Sequence, residues 1–257
     1  LTFLIIWLVV KRIPRKSWAL ISLWTLFPVL SYWLLVGGMF GLARVPTSEW
    51  GGLLVTVVTA VFTMISTLPF GLILALGRLS KMPVVRILCI AFVEIIRGIP
   101  LLAFLFTAAT IFPLILPEGM NIDLFARTMI AFMIFNGAMT SEVFRGGLQS
   151  VKKEQYEAAM TVGLGWFTSM IFIILPQAVR TIIPALVNCM IIIIKETSVL
   201  LVIGLLDFIA TIHFGTESTN WIGGHHILVT GYIFTAAVYM ITCFTLSKYS
   251  RRFERQS

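Results

Sequence analysis

Long runs of apolar residues decide which folds are open to this chain. Gly51–Leu76 and Ile227–Leu246 hold no charged residue at all. About 20 apolar residues suffice for one α-helix to cross the hydrocarbon core of a bilayer. A helix satisfies its own backbone polar groups, so it can cross where no water is available to bond them. Five further runs complete the pattern: Leu1–Val10, Trp18–Phe40, Ile87–Leu116, Leu124–Phe144 and Met170–Ile212. Ile87–Leu116 is interrupted by Pro100 and Pro113. Met170–Ile212 is too long for one helix and is punctuated by Pro176, Pro184, Lys195-Glu196 and Gly204. It reads as one crossing plus a short helix that does not cross again. Hydrophobic residues make up 59% of the chain and charged residues 12%, against roughly 25% charged in a soluble domain. The expected class is therefore an all-α, polytopic membrane protein.

The net charge of +8 does not point to nucleic acid, because the basic residues sit at the ends of apolar runs and not on one face. One set of connections carries Lys11, Arg12, Arg15, Lys16, then Arg78, Lys81, Arg86, then Arg145, Lys152, Lys153, and finally Lys248, Arg251, Arg252 and Arg255. The other set carries Arg44 and Arg127 with Glu49, Glu118, Asp123 and Glu217. The positive-inside rule makes the first set cytoplasmic and places the carboxyl end inside. Cys89, Cys189 and Cys243 lie in or beside apolar segments, which suits burial better than disulfides or metal. Leu1 opens in the middle of an apolar run, so the amino terminus is expected to continue upstream.

One polar stretch, Gln149–Pro176, departs from this apolar character. Glu154–Met160 is rich in helix formers, and Gly163 stands where a helix stop belongs. Ala158 and Ala159 offer a small-residue surface to an approaching protein, and Glu157 supplies a charge to orient it. Glu157, Ala158, Ala159, Gly163, Ile173, Leu175 and Pro176 match E-A-A-x3-G-x9-I-x-L-P in full. That pattern resembles the cytoplasmic loop by which bacterial ABC-importer permeases dock on their ATP-hydrolysing subunit. No G-x-x-x-x-G-K-[ST] occurs, so the resemblance implies that ATP and Mg are bound by a partner ATPase and that this chain holds no cofactor. The five spans from Gly51 onward resemble the core of type I importer permeases. Residues 1–44 then form an added amino-terminal membrane region, 45–250 the permease domain with its coupling loop at 145–170, and 251–257 a basic cytoplasmic tail. The implied partners are an ATPase dimer, a second permease subunit (identical or homologous), a periplasmic binding protein and the lipid bilayer of the inner membrane.

Further segments narrow the resemblance to permeases for polar amino acids: Val93–Leu102 (VEIIRGIPLL), Ser141–Val151 (SEVFRGGLQSV) and Lys195–Leu200 (KETSVL). Ile99 stands where that family usually has Thr, and Glu196 where it has Asp. Glu94 and Arg97 share a helix face and can pair. They either line the translocation interface or sit at the boundary and anchor the break before Pro100. Lys195-Glu196 follows four isoleucines and offers either a site for a zwitterion's two charges or a structural pair. Asn136 and Glu142 are further path candidates, although Glu142 is also placed to pair with Arg145. His213, His225 and His226 read as surface residues of the outer loop and not as metal ligands. Two rival readings remain. One is the same importer class with another small polar solute. The other is a transporter driven by an ion gradient. No H-E-x-x-H or G-x-S-x-G motif supports an enzyme.

Overall fold

The computed structural model describes residues 35–38, 41, 43–117, 122–217 and 225–254. The runs at Leu1–Val10 and Trp18–Phe40, the basic residues between them, Glu118 and Arg255 lie wholly or largely outside those residues. The chain divides into two compact units, Leu1–Trp50 and Gly51–Ser257. In the first, Val45 N–H donates to Val36 O at 2.8 Å and a 3-10 turn covers Thr47–Glu49.

The regular structure of the second unit is helical, with no strand among its described residues. Its elements are α1 (Leu53–Arg78), α2 (Pro83–Gly98), α3 (Leu101–Thr110), α4 (Leu124–Ser150), α5 (Lys153–Thr161), α6 (Leu175–Glu196), α7 (Phe208–Glu217) and α8 (His225–Glu254). Among the described residues, four helical stretches are long and apolar enough to cross a membrane: Leu53–Arg78, Leu124–Ser150, Trp166–Ile203 and Ile227–Arg251. The α2–α3 pair makes a fifth if counted as one broken span, bent by 99° at Ile99-Pro100. Proline has no N–H and disfavours a helical residue before it. The chain is accordingly extended at Ile99 (ψ 135°) and Pro100 (ψ 136°). Pro176 and Pro184 do not break the next span as their positions suggested. A π-helical turn at Met170–Ile174 shifts the hydrogen-bond register just ahead of Pro176, and Pro184 sits inside α6. The helical stretch Trp166–Ile203 has 38 residues, or about 57 Å at 1.5 Å per residue, so it outruns a bilayer core of about 30 Å. At ten residues, α7 reaches about 15 Å and cannot cross.

Small residues dominate the inward face of α1. Thr56, Thr59, Ala60, Thr63, Thr67, Gly71 and Ala75 are buried there with Val55 and Leu74, while Leu53, Leu54, Val57, Val61 and Ile73 point outward. Lipid solvates leucine as well as a protein core does, so helices associate through small residues that let backbones approach. Gly71 shows how closely: a Cβ there would lie 3.1 Å from Gly137 O and 3.1 Å from Ser141 N. Around this α1–α4 seam, α6 packs through Ala178, Ile182 and Leu186 onto Phe144 and Leu148.

Candidate functional site

Helix α5 owes its shape to its sequence. Gly163 adopts φ +80°, Gly163 N–H bonds Met160 O at 2.9 Å, and Leu164 N–H bonds Ala159 O at 3.1 Å. These two bonds make a complete Schellman stop, which a left-handed glycine permits without steric penalty. Tyr156 ties the helix to the bundle by donating its hydroxyl to Leu148 O at 3.0 Å, and burial pushes its phenol pKa up. Gln177 Nε2 reaches Gln155 Oε1 at 3.2 Å, linking α5 to α6. Lys153, Glu154, Glu157, Ala158 and Met160 are exposed. The two alanines do not share the outer face, however: Ala158 is exposed and Ala159 is 3% exposed, turned into its own chain. Successive helical residues point about 100° apart, so one of the pair faces outward and the other packs.

Glu142 anchors a network of five charges from three helices. Its Oε1 accepts from Arg78 Nη1 of α1 and, at 3.0 Å, from Arg97 Nη1 of α2. Its Oε2 accepts from Arg145 Nε at 2.9 Å. Arg78 also reaches Glu94 at 3.4 Å, and Arg97 lies 3.7 Å from Glu94. The expected Glu94–Arg97 and Glu142–Arg145 contacts are both present, but as edges of this larger network. Sequence reading used Arg78 as a mark of topology and missed it here, because only folding brings it next to Glu142, 64 positions away.

Lys195 and Glu196 do not act as a pair. Lys195 is exposed, whereas Glu196 is half-buried and faces the Asn136 side chain across the α4–α6 interface. Glu196 Oε2 is buried with no partner among the described residues. The α-helix persists through Glu196 and tightens to 3-10 over Thr197–Ile203, so the backbone narrows here and does not unwind. Thr197 and Tyr239 hydroxyls meet at 3.2 Å. Asp207, which sequence reading passed over, is fully buried and accepts Ala210 N–H at 2.8 Å as the cap of α7. A carboxylate three residues before a helix-interior N–H was a signal available in the sequence. The side chains of His225 and His226 lie outside the described residues, and His213 Nδ1 meets Tyr232 Oη at 2.9 Å.

The described residues thus form a bundle of helices of membrane-crossing length with an exposed, capped helix in one connection. The model of the family described as "binding-protein-dependent transport system inner membrane component" matches residues 67–255, and the chain belongs to that family. It is 40% identical over 246 residues to the inner membrane amino-acid ABC transporter permease protein YhdY of Escherichia coli, covering 96% of this chain and 66% of that protein. It is 37% identical to the glutamate/glutamine/aspartate/asparagine transport system permease protein BztC of Rhodobacter capsulatus, covering 84% of this chain and 49% of that one. The chain thus spans about two thirds of the first relative's length and about half of the second's. Among solved structures, an amino acid ABC transporter crystallised with histidines matches with a TM-score of 0.69 and 30% identity, covering 80% of this chain and 92% of its own.

Proposed function

We propose that this chain is the membrane-spanning permease subunit of an ATP-driven importer that carries polar L-amino acids into the cytoplasm. The observation that carries the reading is α5, a rigidly capped helix with Glu157 and Ala158 exposed, in a chain whose relatives are named amino-acid ABC transporter permeases. A capped helix transmits a push as a unit, which is what coupling to a separate ATPase requires. In this reading the partner dimer binds ATP and Mg and engages Glu157, Ala158 and the turn at Gly163. A second permease subunit completes the path, and a periplasmic binding protein delivers cargo. The α5 side and the carboxyl end are cytoplasmic, as the basic residues at those ends favour. Glu196, Asn136 and Lys195 are the groups we assign to the substrate path, with Glu142, Glu94 and Arg97 nearer the α5 side of the bundle. ATP closure of the partner dimer drives α5, and the helices alternate between outward- and inward-open arrangements.

The test is uptake of labelled acidic, basic and neutral amino acids in a strain lacking this gene. The wild-type gene should restore uptake, while Glu157→Lys should cut uptake and substrate-stimulated ATPase activity at least about tenfold, with membrane insertion unchanged. A tenfold loss equals about 1.4 kcal/mol of coupling. Full activity of Glu157→Lys would remove that residue from the interface. No restored uptake across the panel would move the cargo outside the amino acids.

A further inference from the structure

The five-charge network is graded. Side-chain exposure rises from Arg78 (9%) and Glu142 (20%) through Arg145 (35%) and Arg97 (38%) to Glu94 (57%). Its inner part joins α1 to α4, and its outer part belongs wholly to α2. The two parts meet at two contacts: Arg97 Nη1 lies 3.0 Å from Glu142 Oε1, and Arg78 Nη2 lies 3.4 Å from Glu94 Oε1, while Arg97 and Glu94 are 3.7 Å apart within α2. Arg97 also stands just before the 99° elbow between α2 and α3.

Parting this network at α2 leaves no charge without a partner. On the α2 side, Glu94 and Arg97 remain together, one turn apart on one helix, and sum to zero. On the other side, Glu142 keeps Arg78 on Oε1 and Arg145 on Oε2. A buried ion pair that loses one partner is strongly destabilised, whereas a pair that travels together is not. We propose that the Arg97–Glu142 contact is a separable clasp between α2 and α4, and that Glu94 is a positioning residue that keeps Arg97 paired when the clasp opens. This proposal deepens the permease reading above, because opening and closing the elbow is a step such a transporter can use.

A static anchor and a clasp make opposite statements about Glu94. It is the most exposed of the five, and its contacts are the longest, so a static network would barely register its loss. For a clasp, Glu94→Gln strands Arg97 in the open state and biases the protein towards closure. The experiment uses the membrane-embedded complex with its ATPase partner. Spin labels go on Gly98→Cys and Gly146→Cys, where an added Cβ meets nothing within 4 Å, with Cys89, Cys189 and Cys243 replaced by Ala. We expect two distance populations whose ratio changes on adding ATP. Glu94→Gln also removes the Arg78 contact, so its effect is read against the same change made on Arg97→Gln: with Arg97 present the ratio should lie about two- to fivefold further towards the shorter distance, the range for a half-exposed pair. Arg97→Gln should shift it towards the longer one. Amino-acid uptake should fall in each variant in step with the departure of its distance ratio from that of the wild type. A single distance in every variant, or a Glu94→Gln effect that is the same with and without Arg97, overturns the clasp. The distances do not depend on cargo, so the clasp is scored even if wild-type complex carries no amino acid, a result that would overturn the transport reading alone.

Discussion

Replacing Gly71 with valine tests whether the α1–α4 seam is as close as the structure has it. A Cβ at Gly71 would meet Gly137 O and Ser141 N at 3.1 Å and Thr140 Cβ at 3.2 Å. Two of these are backbone atoms of a 27-residue helix, so no rotamer change can clear them, and valine adds two more carbons. Overpacking of this kind costs about 1–3 kcal/mol. Against that, replacing glycine by valine in a helix interior gains only about 0.3 kcal/mol, because a β-branched side chain recovers less than alanine would. The expected net is a loss of about 1–2 kcal/mol, or a fall in Tm of roughly 2–8 °C for a chain of this size. Gly146→Ala isolates the opposing contribution. Gly146 lies in the facing helix, α4, with nothing within 4 Å of an added Cβ, so this change should raise Tm by about 2–4 °C. Thermal unfolding of the detergent-solubilised protein, followed by circular dichroism, reads both. If Gly71→Val is as stable as Gly146→Ala, the two helices do not touch at this register.

Glu142→Gln should destabilise the chain by about 2–4 kcal/mol, because Arg78, 9% exposed, is left with only its longer contact to the exposed Glu94 at 3.4 Å. High salt should recover little of the loss, since ions screen exposed charges and reach shielded ones poorly; full recovery in salt would place the network at the surface. Asp207 gives a pH dependence. Burial raises its pKa above the usual 3.8, so the folded state binds the proton more tightly than the unfolded one. The contribution of this group to stability is then fully present below about pH 3.8 and is lost as pH rises from there through the elevated folded value. Asp207→Asn should keep the cap and flatten that decline, while Asp207→Ala should cost about 1 kcal/mol through loss of the cap. An unchanged pH profile in Asp207→Asn would show that this carboxyl is not the group responsible.

Several features follow from the sequence because their causes are local. Apolar runs of crossing length, charges at their ends, and a helix stop at Gly163 each depend on residues within one or two turns of one another. The elbow at Ile99-Pro100 was local too, because proline imposes it. Pro176 and Pro184 resisted the same reasoning, since a π-helical turn just before Pro176 and the packing of α6 through Ala178, Ile182 and Leu186 offset the expected break. Which of Ala158 and Ala159 faces outward required the neighbouring segment to be in place. The Glu142 network needed more. Arg78, Glu142 and the Glu94–Arg97 pair come from three helices, and no spacing rule joins the three, so their union is decided by how α1, α2 and α4 pack. For the same reason Lys195 and Glu196, adjacent in sequence, part company in space: a helix turns successive side chains away from each other, and only the position of α4 determines that Glu196 is the one that meets Asn136.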